Sequence, residues 1–228
     1  MKTQMKEKNR IKNPLLLVLL GLCALLSQSC SNGQSVASPN QDLELSVLGE
    51  AQDFELTNRD ESRVTLSDFR GKVVLITFIY ASCPDDICLM QDFDLMAVRN
   101  GLNRASQEQL VLMSISFDPE IDTPQILKTY AEAKGFDIPN WYHLTGSQEE
   151  ITKVTDEYGV SYELVPSEEE THADGTVHTH SRSFRHLSQV VIIDQEGMIR
   201  SQYLGIKIGE QVLPVENMLE DVKALLQP

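Results

Sequence analysis

Hydrophobic positions fall along this chain in distinct rhythms, and each predicts a different element. Val73 to Tyr80 (Val-Val-Leu-Ile-Thr-Phe-Ile-Tyr) and Leu110 to Phe117 are near-continuous apolar runs, the pattern of strands buried on both faces. Leu89, Phe93, Met96, Ala97 and Leu102 recur instead at helical spacing, predicting a helix from Cys88 to about Arg104. Asp122-Thr123-Pro124 opens another helix with a capping side chain and a proline in its first turn, and Gly135 stops it. Ser147 and Glu150 have capping-box spacing, so a further helix starts there and runs to Tyr158 before Gly159. Short alternating stretches predict two hairpins, Phe54–Leu56 with Arg63–Thr65, and Gln189–Asp194 with Ile199–Leu204 turned at Glu196-Gly197. Trp141 to Leu144 reads as a short strand, and Val215 to Leu226 as a closing amphipathic helix. The order is β-hairpin, β, α, β, α, β, α, β, β, α, which predicts an α/β layer sandwich with a mixed sheet.

Two segments fall outside these rhythms. Ser161 to Ser183 is acidic, holds His172, His178 and His180, and reads as a long surface loop or hairpin. The first 29 residues read as a leader. Lys2, Lys6, Lys8, Arg10 and Lys12 precede Leu15 to Leu26, an uncharged apolar run of 12 residues. That is the layout of an export signal and is shorter than the ~20 residues of a spanning helix. The following Ser27-Gln28-Ser29-Cys30 resembles a bacterial lipobox, which would make Cys30 the lipidated first residue, although Ser27 stands where an aliphatic residue is usual. Ser27 and Ser29 also suit ordinary signal cleavage. The expected organisation is a signal peptide over 1–29, a Ser/Asn/Gln-rich tether over 30–44 and one domain over 45–228. The domain is then exported to the cell envelope and lipid-anchored to a bacterial membrane, outside the cytoplasm.

Charge narrows the partners. The chain carries 19 Lys+Arg against 34 Asp+Glu, a net −15, and cleavage after residue 29 takes the remainder to near −19. An acidic surface argues against nucleic acid. Asp85, Asp86, Asp92 and Asp94 read as a solvated acidic face that would favour cation approach.

Of the four cysteines, Cys23 lies in the leader and Cys30 at its end, leaving Cys83 and Cys88 as the working thiols. They flank the end of the first buried strand and the start of a helix, where ligand and redox chemistry sits in α/β sheets and where thiolate is stabilised. Such a pair can be a redox dithiol or two soft metal ligands.

Here the chain resembles the Sco/SenC copper proteins, which serve in assembly of the copper centre of cytochrome c oxidase. The resemblance rests on Thr77-Phe78-Ile79-Tyr80-Ala81-Ser82-Cys83-Pro84, on Ser116-Phe117-Asp118-Pro119-Glu120-Ile121-Asp122-Thr123-Pro124, on Leu144-Thr145-Gly146-Ser147, and on His186 eight residues before Asp194. It implies a thioredoxin-like three-layer sandwich with a mixed central sheet flanked by helices, an N-terminal β-hairpin and an inserted His-containing loop. It also implies a copper site of Cys83, Cys88 and His186, and an oxidase subunit or other copper-receiving protein as partner. The residues agree with that assignment. Thioredoxin-like oxidoreductases place a cis-proline opposite their cysteines, whereas this chain has no proline between Pro166 and Pro214 and has His186 at the corresponding point. An imidazole facing two thiolates makes a three-coordinate site suited to copper(I), and one that also accepts copper(II).

The family usually carries Cys-x-x-x-Cys-Pro. Here four residues separate the cysteines and Leu89 follows the second. Residues five apart on an ideal helix differ by about 140°, so Cys83 is expected on a loop that bulges by one residue. Two other functions use the same residues: a thiol-disulfide oxidoreductase with Cys83 and Cys88 as its catalytic pair, and a redox or copper sensor. A peroxiredoxin would need Pro and Thr where Ile76 and Tyr80 stand, a Trp-Cys-x-x-Cys reductase motif is absent, and the cysteine count excludes paired zinc knuckles. His143 reads as structural. His178 and His180, two apart, would face one side of an extended strand and could form an auxiliary metal site.

Overall fold

A computed structural model describes residues 45–84, 86–165, 169–171, 177–179, 183–205 and 212–227. Its centre is the pair of apolar runs. Strand β4 (Val73–Ile79) and strand β5 (Leu110–Ser116) are buried at every position and pair in parallel, Val73 opposite Leu110 through Ile79 opposite Ser116. Fully burying each Val, Leu, Ile or Phe stabilises by about 1.5–3 kcal/mol, so this pair anchors the core.

The remaining strands extend the sheet on both sides. These are β1 (Gly49–Glu50), β2 (Glu55–Asn58), β3 (Arg63–Thr65), β6 (Trp141–Thr145), β11 (Ser188–Ile193) and β12 (Met198–Gly205). The order across the eight-stranded sheet is β1-β12-β11-β4-β5-β6-β2-β3. Strands β4, β5 and β6 are parallel, while β11 runs antiparallel to β4, so the sheet is mixed as expected. Both predicted hairpins form. The first belongs to the central sheet, since β2 pairs with β6 through Thr57 and Asn58. Strand β1, which pairs with β12, was not anticipated because two residues carry no periodicity.

Helices α1 (Ile87–Asn100), α3 (Pro124–Lys134), α4 (Gln148–Glu157) and α5 (Val215–Leu225) correspond to the four predicted ones. Thr123 caps α3 with Pro124 in the first turn, and Gly135 ends it at φ 79°. Ser147 and Glu150 form the reciprocal capping box of α4. The first predicted helix splits: Gly101 ends α1, and a separate short α2 (Arg104–Glu108) starts from Asn103, whose side chain accepts the Ser106 N–H.

Consecutive β4 side chains show the layering. Thr77 Oγ1 accepts from Gln91 of α1 at 2.8 Å, whereas the Phe78 ring meets Tyr158, just beyond α4, at 6.1 Å. Neighbouring residues of a strand point to opposite faces, so α1 and α4 cover opposite sides of the sheet.

The segment read as a surface loop or hairpin contains strands. β7 (Tyr162–Val165) pairs antiparallel with β10 (Ser183–His186), and β8 (Glu169–Thr171) with β9 (Val177–Thr179). His178 lies on β9, but its side chain and all of His172 and His180 fall outside the described residues, as do Cys30, the leader and the tether up to residue 44. Among the described residues, no helix is long and apolar enough to cross a membrane.

Candidate metal centre

Strand β4 delivers the chain to the site, and a clamp holds it there. Beyond Ile79, the Ala81 N–H donates to Asp122 Oδ2 at 2.9 Å, and Ser116 Oγ donates to the same oxygen at 2.5 Å. The Asp122 N–H donates to the Asp118 carbonyl at 2.9 Å, and the Asp118 N–H to Ser116 Oγ at 3.1 Å. The Asp118-to-Asp122 motif therefore folds on itself to fix the amide two residues before Cys83. Burial pushes the Asp122 carboxyl above its ordinary range, opposed by the Ser116 and Ala81 hydrogen bonds.

Cys83 then sits on a turn, its N–H donating to the Tyr80 carbonyl at 3.3 Å. The expected bulge is accommodated before α1, where Asp86 takes a left-handed φ of 58°. Aspartate tolerates this conformation better than most residues, and it lets the helix begin in a new direction. Cys88 follows in the first turn of α1, fully buried. Burial pushes its thiol well above the ordinary value, and the neighbouring Cys83 adds to the rise.

His186 arrives from the other side. It is the last residue of β10, opposite Tyr162 of β7. Its ring lies edge-on to Tyr80 at 5.7 Å and 5.2 Å from Phe117, which itself stacks on Tyr162 at 4.8 Å. This aromatic packing seats the β7–β10 hairpin on the end of the sheet. Nε2 of His186 then stands 3.7 Å from Cys88 Sγ, while Nδ1 is buried with no hydrogen-bond partner among the described residues. One ligand atom from each of Cys83, Cys88 and His186 lies within 4.8 Å of the other two. Two sulfurs and one imidazole nitrogen at this separation form a soft, low-coordinate donor set, fitted to copper(I) and able to accept copper(II). The same two sulfurs, within 4.8 Å of each other, are also the kind of neighbouring pair that thiol-disulfide chemistry uses.

The acidic face expected beside the site needs correction. Asp85 lies outside the described residues and Asp86 is exposed, but Asp92 is fully buried and Asp94 nearly so. Asp94 Oδ2 accepts the Val212 and Leu213 amides at 3.0 and 2.8 Å, tying the approach to α5 onto α1. Asp92, one turn beyond Cys88, accepts from Ser114 Oγ at 2.7 Å and from the Tyr130 hydroxyl at 2.8 Å. Burial raises the Asp92 carboxyl to about 7. His143 Nε2 is 3.9 Å from the same carboxylate, and burial, then the Arg59 guanidinium, lowers the imidazole to about 3. Arg59 Nη1 lies 3.1 Å from Nδ1, which can only accept from it, so neutral His143 carries its proton on Nε2. His143 is thus a core residue, as its sequence context suggested. These carboxylates escaped sequence reasoning because their partners lie 20 to 120 residues away, and acidic residues on a helix usually face water.

The described region has known counterparts. Residues 46–227 match the family model SCO1/SenC. The chain belongs to the SCO1/SenC family. A SCO1 protein homolog of Bacillus subtilis is 27% identical over 210 residues, 91% of this chain and 92% of that one. A SCO2-like protein of Rickettsia typhi is 30% identical over 197 residues, 86% of this chain and 90% of that one. Among solved structures, Bradyrhizobium japonicum ScoI with copper bound superposes with a TM-score of 0.60 at 28% identity, over 78% of this chain and 99% of that one. BsSco, described as a Sco-family cytochrome c oxidase assembly protein with a disulfide switch, gives 0.58 at 25% identity over 80% and 99%. The fold is accordingly the thioredoxin-like α/β sandwich that the sequence motifs implied.

Proposed function

We propose that this protein is a copper chaperone that assists maturation of the cytochrome c oxidase copper centre, with Cys83, Cys88 and His186 holding the metal. The convergence of these three side chains within 4.8 Å carries the reading. Copper is cargo here. The partly exposed Cys83 and His186 give it a route in and out, while buried Cys88 supplies the inner ligand. The thiol of Cys88 is held protonated by burial, so binding releases its proton. Support comes from relatives across nearly the whole domain, including a copper-bound ScoI and an oxidase assembly protein. The receiving partner is a copper-accepting oxidase subunit or a similar protein. Residues 1–29 act as an export signal, and lipidated Cys30 tethers the domain to a bacterial membrane outside the cytoplasm, a reading supported by the apolar run Leu15 to Leu26 and the lipobox-like Ser27 to Cys30.

The test is copper(I) stoichiometry of the reduced protein against a competing chelator. The wild type retains one copper, and Cys83→Ser, Cys88→Ser and His186→Ala each weaken retention by at least tenfold. A wild type that retains none, or a His186→Ala variant that binds as tightly, overturns the assignment. The closeness of the two sulfurs also favours a second reading, reduction of a partner's copper-ligand cysteines. That activity predicts that a single Cys-to-Ser variant traps a mixed disulfide with the partner and that His186→Ala keeps most of the exchange rate.

A further inference from the structure

At the opposite end of α1 from Cys88 lies a cleft of about 330 Å³, lined by Arg99, Arg104, Gln107, Glu108, Pro139 and Asn140. Arg99 is eleven residues beyond Cys88 on that helix, about 17 Å along its axis, so the cleft is separate from the metal centre. Its size is at the lower end of the range for small-molecule sites, which starts at roughly 300 Å³. Three segments build it. The Gln107 side-chain amide of α2 donates to the Arg99 and Leu102 carbonyls, both at 3.1 Å, and so ties α2 to the end of α1. Asn140, just before β6, has a left-handed φ of 63°, and its carbonyl accepts the Leu112 N–H of β5 at 2.8 Å.

The side chains left over are donors. The Arg99 guanidinium is half-buried, and among the described residues it has neither an ion pair nor a hydrogen bond. The half-buried Asn140 side-chain amide also has no hydrogen-bond partner among the described residues. Arg104 meets Glu108 at 3.5 Å, but both side chains are mostly in water, and such a pair contributes little. Lys72 Nζ donates to the Glu108 carbonyl at 3.0 Å and to Gln109 Oε1 at 3.2 Å, which brings a further cation to the end of α2. Cations therefore outnumber the single carboxylate of the cleft, in a chain with 34 acidic residues to 19 basic ones. A guanidinium drawn partly out of water is ordinarily paired, and here the chain supplies no acid to Arg99 although acids are plentiful. We propose that this cleft binds a phosphate-bearing small molecule, with Arg99 as the inner contact, Arg104 closing from the solvent side and the Asn140 amide donating a further hydrogen bond. A guanidinium gives two parallel N–H bonds to one edge of a phosphate, and the remaining oxygens are left for the second guanidinium and the amide. A carboxylate has two oxygens, and a bidentate bond to Arg99 engages both. Free phosphates and phospholipid headgroups share this chemistry, and the inference rests on neither copper nor the thiols.

The test is titration of the full chain at constant ionic strength with inorganic phosphate and, separately, with glycerophosphoglycerol, a phospholipid headgroup without its acyl chains. Binding is followed by the nuclear magnetic resonance shift of the Asn140 side-chain amide. Saturable binding is expected, weakened in Arg99→Gln by about tenfold or more, the size of one lost charge-assisted hydrogen bond. Arg104→Gln, at a side chain 94% exposed, tests the same site without touching the core and weakens binding by about threefold or more. Lys128→Gln removes an equal charge from an exposed position on α3 outside the cleft and leaves affinity within about twofold. Tighter binding of glycerophosphoglycerol identifies a lipid headgroup as the source, tighter binding of inorganic phosphate a soluble one, and either supports the proposal. No saturable binding of either probe, an equal loss in Lys128→Gln, or displacement of phosphate by equimolar acetate overturns it. Copper retention in Arg104→Gln is expected at the wild-type level, so failure here and failure of the chaperone reading are told apart in the same samples.

Discussion

Asp122 Oδ2 holds the Ala81 amide at 2.9 Å, and through that single oxygen the α3 capping segment governs where Cys83 stands. The same oxygen accepts from Ser116, so the ends of β4 and β5 that border the site meet at one carboxylate.

Asp122→Ala removes both contacts inside a buried pocket. Leaving such donors without their acceptor costs about 1–3 kcal/mol, to be read from denaturant unfolding. Because Cys83 lies two residues from the released amide, copper(I) affinity is expected to fall as well, by more than in a variant of equal stability loss elsewhere. A loss of stability with unchanged copper retention would reject the clamp.

Asp94→Ala provides that comparison. It takes the acceptor from the Val212 and Leu213 amides and is expected to cost about 2–4 kcal/mol. Hydrogen exchange at those two amides should accelerate more than exchange in β4 or β5. Asp94→Asn, which keeps one acceptor oxygen, should recover part of the loss.

Asp92 and His143 pull stability in opposite directions with pH. The Asp92 carboxyl is raised to about 7, so the folded protein keeps a proton that the unfolded chain releases near 3.8. Its contribution is fully present below about pH 4 and is lost as the pH rises through about 7. His143 is lowered to about 3, so its contribution is present above about pH 6.5 and is lost as the pH falls toward 3. Between pH 4 and 6.5 the two slopes oppose each other. Asp92→Asn removes one of them, and its stability relative to wild type is expected to rise from pH 4 to 7, on the order of a few kcal/mol across the interval. Urea unfolding at pH 4.5 and pH 7 measures this. A constant difference between the two proteins would contradict it.

Gly205 ends β12 where a side chain has no room. A Cβ there would lie 2.7 Å from the Val212 carbonyl oxygen and 2.8 Å from Ser188 Cβ. Gly205→Ala is expected to cost about 1–3 kcal/mol, since the nearest atom is backbone. The thermal midpoint should drop by about 2–4 °C for each kcal/mol.

Much of this was legible where the signal is local. Continuous apolar runs marked β4 and β5, and Thr123, Gly135 and Ser147 marked helix ends to within a residue. The Cys83 and Cys88 pair was readable from its place at a strand-to-helix junction, whereas His186 joined it only through the resemblance to Sco/SenC proteins. What escaped depends on distant partners. Asp92 is buried because Ser114 and Tyr130 come to meet it, and Tyr80 reads as one more core aromatic until the Phe184 amide folds onto its hydroxyl. The β7–β10 hairpin lacks periodicity since it is held by ring packing on Phe117 rather than by a buried stripe.

The borders of the main sheet have a consequence for self-association. It begins at the two-residue β1 and ends at the three-residue β3, whose Arg63 pairs with Glu55 and Glu150. The β3 edge, three residues long and guarded by a charged side chain, offers few free amides and carbonyls to template another strand. The β3 end of the eight-stranded sheet is therefore poorly suited to taking on a strand from a second copy of the chain.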